Sequence, residues 1–383
     1  MKNKTIYLVY LLTFINGIIL NLGHAVTPKY IEILGVEKFW FGYFFSAMSL
    51  GHFIMGPIWG RVSDNKSRRM VYSIGFLGYG VAQFLFVTFS SGQTLLIARL
   101  LAGLFSNGVI VASVALVTDY TTVEERTKGL SIYSGLIMLG SSIGYYVSGF
   151  VGEPFRLGVI DTFKLQALLS VVFAAVIYLV LPKGQTSRSK NKIGVSVTEI
   201  IKNVELRTLL FSLIFTTISF VGVTKFLDVY ISDNGYSTTE LGSFIGVTGL
   251  VTIFTTVVVL PLVTKLFKDR TLLLFATFFS GFFVVITFIQ DDLMFALYSF
   301  YLLFIFSKAF FEPIHQSIIS KKFEGNQGTI LGLRKSFEFA GNFIGPLFLG
   351  YVYGFNPIVL FIGAGICLMV VSIYVFVRTK EAN

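Results

Sequence analysis

Long apolar runs separated by short polar segments recur along the whole chain. They fall at roughly 5–28, 40–60, 70–90, 93–118, 128–152 and 163–182, then at 208–232, 240–263, 271–290, 293–318, 328–353 and 357–378. Each is near the roughly 20 residues that an α-helix needs to cross a hydrocarbon core. The pattern predicts twelve transmembrane helices, six and then six more. The expected architecture is an all-α membrane protein with a six-helix half at 1–182, a linker at 183–207 and a second half at 208–383. The linker carries the polar, basic run Gln185-Thr186-Ser187-Arg188-Ser189-Lys190-Asn191-Lys192. A short amphipathic helix from Val197 to Val204 is expected to lie on the membrane surface.

Composition agrees with this reading. Only 13% of the 383 residues are charged, about half the share that dresses a soluble protein. The formal charge of +10 would suggest nucleic acid in a soluble chain. Here the bases sit in short loops, and no nucleic-acid motif accompanies them. With both ends cytoplasmic, the inside segments hold 21 of the 30 Lys and Arg residues, and the outside loops hold four. One miscounted helix would reverse the sign of every later loop, so the asymmetry supports the whole topology. Lys2 and Lys4 precede a run long enough to span, which is read as the first membrane helix. Cys367 is the single cysteine, inside the last run, so no internal disulfide and no thiolate metal site is expected.

An internal repeat is visible. Gly140-Ser141-Ser142-Ile143-Gly144 and Gly341-Asn342-Phe343-Ile344-Gly345-Pro346 share their Gly, Ile and Gly positions at an offset of 201 residues. Gly140, Gly144, Gly341, Gly345 and Pro346 are therefore read as helix-packing positions in equivalent helices. Two repeats in the same orientation imply pseudo-symmetry about the membrane normal.

After the second run comes Gly60-Arg61-Val62-Ser63-Asp64-Asn65-Lys66-Ser67-Arg68-Arg69. It resembles the signature loop of the major facilitator superfamily, G-x-L-A-D-R-x-G-R-K. Asn65 and Ser67 depart from that pattern. The resemblance implies that Asp64 pairs with Arg68 and gates the cytoplasmic side. Arg69, Asp119 and Arg126 would be partners in the same cluster. Arg99-Leu100-Leu101-Ala102-Gly103 resembles the family's fourth-helix pattern, implying a coupling role for Arg99. The fifth-helix run resembles the antiporter signature, with Ser141 in place of its proline. Pro28-Lys29-Tyr30-Ile31 and the run from Gly341 to Leu347 resemble the twelve-helix drug:proton antiporter branch, including Gram-positive quinolone and multidrug exporters.

Most ionisable residues inside the predicted helices lie in the second half: Lys225, Asp228, Lys308, Glu312, Arg334, Lys335 and Glu338. Spacings of three or four place each pair on one face. One reading is a set of structural pairs. The other is proton coupling through Glu312, Glu338 and Asp228. At a rise of about 1.5 Å per residue, Glu312 and Arg334 share one depth, and Lys308 and Glu338 share another near the midplane. Two inter-helix pairs are expected, Glu312 with Arg334 and Lys308 with Glu338. Asn21, His24, Tyr133, Lys225, Lys308, Arg334 and Phe337 are candidate cavity residues.

These features lead to the expectation of a proton-coupled exporter of small amphipathic or drug-like molecules, using alternating access. A monomer in the cell membrane is expected, both termini cytoplasmic, with lipid, protons and substrate as partners. No cofactor is expected beyond the proton gradient. Inside the helices bases outnumber acids five to three, which keeps open a transporter of one anionic or zwitterionic metabolite. A membrane-embedded enzyme is the reading from another class. No metal ligand set, Ser/His/Asp set or nucleotide loop supports it.

Overall fold

The computed structural model describes residues 2–122, 126–153, 156–182, 203–321 and 327–379, with side chains at 2–4, 126–128, 320–321 and 327–332 left out. Most of the predicted linker, with Lys190 and nearly all of the proposed surface helix, lies outside the described residues. The helices are α1 (Lys2–Asn21), α2 (Thr27–Leu34), α3 (Phe39–Asn65), α4 (Arg68–Thr88), α5 (Gly92–Tyr120), α6 (Arg126–Val151) and α7 (Val159–Val180). Then come α8 (Val204–Asp233) and α9 (Thr238–Phe254), which continues through a π turn into Leu260–Val263. The last four are α10 (Asp269–Phe288), α11 (Leu293–Ala296, a π turn, then Leu302–Lys321), α12 (Gln327–Phe355) and α13 (Pro357–Arg378). Among the described residues, nine helices are long and apolar enough to cross a membrane.

Every predicted apolar run is helical, but the first is not one helix. It breaks between Asn21 and Thr27. Pro28 lies in the first turn of α2 and has no N–H to give to the preceding turn. At Gly23 a Cβ would strike the Phe163 ring and the Gln166 carboxamide. The second run extends to Asn65, five residues past expectation, so Asp64 sits on the last turn of α3. In α9 the Leu260 N–H reaches back to the Thr255 carbonyl because Pro261 cannot continue the ordinary ladder.

The described helices gather into two compact units: Met1–Lys190 with Asp228–Leu250, and Asn191–Leu227 with Val251–Asn383. The division runs through α8 and α9. In the first unit α1 packs on α6, α3 and α4 on α5, and α4 on α7. In the second unit α10 packs on α11 and α13. Large apolar side chains such as Leu179, Phe348 and Val377 are exposed, while Gln83, Gln166 and Ser170 are buried. That inversion of a soluble surface suits a lipid-facing exterior.

The glycine repeat has a structural counterpart. A Cβ on Gly140 would strike the Phe14 carbonyl, and one on Gly144 would lie 2.5 Å from the Ile18 carbonyl. In the second unit a Cβ on Gly341 would lie 2.9 Å from the Ile214 carbonyl, and one on Gly345 3.1 Å from Ile218 Cα. The same close crossing, α1 on α6 and α8 on α12, therefore recurs at matching positions. Small residues let membrane helices approach this closely. Gly140→Ala is expected to force α1 and α6 apart, lowering the thermal unfolding midpoint in detergent by the equivalent of about 1–3 kcal/mol. Gly363→Ala, where a Cβ meets nothing within 4 Å, should leave that midpoint unchanged.

Candidate functional site

The densest set of membrane-embedded charges lies in the second unit, on α11 and α12. Arg334 is 1% exposed and donates from Nη2 to Glu312 Oε2 at 2.5 Å and from Nη1 to Glu338 Oε2 at 2.9 Å. Its Nε donates to His315 Nδ1 at 3.1 Å. His315 therefore carries its proton on Nε2, which faces the Leu209 carbonyl of α8 at 3.3 Å. Lys335 adds contacts of 2.9 Å to Glu338 and 3.4 Å to Glu312. Two acids are thus shared by two bases, with no charge left over. The guanidinium is shut away, while Glu312 keeps half of its side-chain surface open and Glu338 about a fifth. Protonation of either carboxylate would release one arm of a buried Arg fork.

The expected pairing of Lys308 with Glu338 is not what the structure contains. Glu338 is held by Arg334 and Lys335, residues of its own helix at spacings of four and three. These local partners hold it against its own helix. Lys308 Nζ instead lies 5.7 Å above the Phe220 ring. Phe337 packs edge-on against Phe211, with ring centroids 5.3 Å apart.

In the first unit the signature-loop residues converge. Arg68 binds Asp64 at 2.5 Å and Asp119 at 3.0 Å, and its Nη1 also donates to Ser63 Oγ at 3.1 Å. Arg69 points elsewhere: it donates to the Leu181 carbonyl and covers the Tyr178 ring at 4.4 Å. The Arg126 side chain lies outside the described residues.

Arg99 is buried on α5 and meets aromatic faces, with its guanidinium 3.7 Å from the Phe86 centroid and 5.8 Å from that of Phe163. Its Nη1 donates to Gln83 Oε1 at 3.4 Å. From there a chain of hydrogen bonds leads to the break in the first helix. Gln83 donates to Tyr79 Oη at 2.5 Å, and Tyr79 Oη donates to the Leu20 carbonyl at 3.0 Å. Gln166 Nε2 donates to the Ile19 carbonyl at 2.8 Å. Carbonyls at the end of α1 that a continuous helix would have used are satisfied this way. Within that break, His24 stacks on Tyr145 with centroids 5.5 Å apart, and the Tyr145 hydroxyl lies 3.5 Å from Asp228 Oδ2. Asp228 is 2% exposed. Asn21 donates to Ser141 Oγ at 2.9 Å, and Tyr133 Oη lies 3.0 Å from Ser113 Oγ.

Three features escape the sequence reading. Gln83 and Gln166 are amides inside apolar runs, a signal that was there to be used. His315 stands three residues after Glu312, on one helical face. Glu153 has no such signal: its Oε1 accepts from the Thr239 N–H at 3.1 Å and from Thr238 Oγ1 at 3.2 Å, capping α9 from a segment more than 80 residues away.

A family model described as Major Facilitator Superfamily matches residues 7–311. The chain is similar to the quinolone resistance protein NorA of Staphylococcus aureus (strain COL), 23% identical over the full length of both. It is also similar to multidrug resistance protein 1 of Bacillus subtilis (strain 168), 25% identical over 92% of this chain and 91% of that one. Among solved structures, a bacterial homolog of the human lysosomal transporter Spinster aligns with a TM-score of 0.82 at 13% identity, covering 100% of this chain and 99% of that one. A D-xylose–proton symporter aligns at 0.75 with 14% identity, covering 98% of each.

Proposed function

The chain belongs to the major facilitator superfamily and is a membrane transporter, not an enzyme, and we propose that it exports small amphipathic molecules by alternating access, driven by protons. The observation that carries this reading is the four-charge network of Glu312, Arg334, Lys335 and Glu338. Its charges balance, one side of it is open, and its central base is buried. Protonating Glu338 leaves both bases to Glu312. Losing that proton restores the shared arrangement. A two-state charge network of this kind can make the preferred conformation depend on proton occupancy. The quinolone-resistance and multidrug-resistance relatives favour an outward direction and drug-like, amphipathic substrates. No cofactor takes part, because the gradient supplies the drive. The protein works in the cell membrane as a monomer, with both termini in the cytoplasm.

Purified protein in liposomes, with a pH-sensitive dye inside, tests the proposal. Addition of a transported amphipathic compound should move the internal pH, and an imposed pH gradient should drive that compound to accumulate. Transport that ignores the pH gradient would end the proton-coupled reading.

The Asp64–Arg68–Asp119 cluster is assigned to gating. Arg68 is the shared cation, so removing one of its two acids weakens the cluster without stranding it. Asp64→Asn is expected to lower transport at least tenfold while the protein still inserts and keeps its thermal midpoint. Unchanged uptake by that variant would remove the gating role.

A further inference from the structure

Lys308 is a surplus charge. Among the described residues it makes no ion pair, although it sits on a membrane-spanning helix. The acid one turn along, Glu312, is already held by Arg334 and Lys335. The positive charge of Lys225 on α8 acts on Lys308 more strongly than the opposing negative charge of Glu312. Phe220 lies under the ammonium, and its ring packs against Phe311 at 5.3 Å and Phe304 at 6.1 Å. Phe304 and Phe311 flank Lys308 on one face of α11, at spacings of four and three. A cation–π contact contributes about 2 kcal/mol when desolvated, less than an isolated charge costs in a membrane interior. Local positive potential beside an apolar aromatic wall is what remains to be complemented.

We infer that Lys308, over Phe220, is a binding subsite for the anionic group of an aromatic small molecule, a carboxylate or a sulfonate. The inference rests on the transporter reading and narrows it: the amphipathic substrates would be those with an acidic group on an aromatic body. The ammonium donates to the anion, and the open edges of Phe220 and Phe311 take the apolar part, with the fully buried Phe304 ring behind them.

The test uses the full chain in detergent and three probes matched in ring and size: naphthoate, naphthamide and naphthylmethylamine. Calorimetric titration should give naphthoate an affinity about tenfold above the other two, the scale of one charge-assisted hydrogen bond. Lys308→Met should level the three affinities, and Lys308→Arg should keep the order. The thermal midpoint of Lys308→Met should hold or rise, since it removes an uncompensated ammonium. Equal affinities in the unmodified protein, a preference that survives Lys308→Met, or no binding of any probe would each overturn the inference. So would a lowered midpoint with all three affinities reduced alike, the mark of a merely structural lysine. Liposome uptake of the same probes separates the two readings. Gradient-driven movement of the amide or amine without an anion preference sinks the subsite and leaves the exporter standing.

Discussion

Arg334→Met is expected to destabilise the protein by about 3–5 kcal/mol, the usual cost of removing one partner from a buried charge network. Arg334 is 1% exposed and holds Glu312, Glu338 and His315 at once. Without it, two carboxylates are left with Lys335, and His315 Nδ1 loses its donor. Arg334→Lys should recover only part of the loss, because an ammonium lacks the planar fork that serves two acids and an imidazole together. Lys335→Met provides the contrast. Half of that side chain is exposed, so its removal should cost less than about 1 kcal/mol. Thermal unfolding in one detergent ranks the three. A wild-type midpoint for Arg334→Met would mean that the network does not hold α11 and α12 together.

That network also shows where sequence reasoning ends. Helical rise fixes depth, and depth placed Glu312 level with Arg334, which do meet. The same arithmetic placed Lys308 level with Glu338, which do not. Depth says nothing about competition, and Glu338 has two bases within one turn of its own helix. The length of the apolar runs located the helical runs, because a lipid-spanning helix must be apolar along its length. It did not locate the break in the first helix, where the cause is tertiary: Gln166 and the Phe163 ring occupy the space beside Gly23. The glycine repeat was legible because close helix crossings demand glycine at fixed spacing, whatever surrounds them. Caps supplied from a distant part of the chain, such as Glu153 on α9, leave no local trace. The signature-loop residues were identified by pattern, and the structure divides them: Asp64 and Arg68 meet, while Arg69 turns to Tyr178 and the Leu181 carbonyl.

Charge-balanced double variants are expected to separate structure from coupling. Single removal of Glu312 or Glu338 leaves bases in excess, so lost transport would carry no information about protons. Glu338→Gln with Lys335→Met leaves Arg334 paired with Glu312. Glu312→Gln with Lys335→Met leaves it paired with Glu338. Both doubles keep the buried guanidinium matched by one carboxylate at a contact already present, 2.5 Å to Glu312 or 2.9 Å to Glu338. Both should therefore fold, with midpoints within about 1 kcal/mol of the unmodified protein. If the two acids only neutralise the bases, gradient-driven accumulation returns in both. On the coupling assignment the doubles still exchange substrate across liposomes at equal concentration, yet neither concentrates it against a gradient. Loss in only one double assigns the proton to the acid removed there. Full accumulation in both would end the coupling role and leave Glu312 and Glu338 as counterions that keep Arg334 in the membrane.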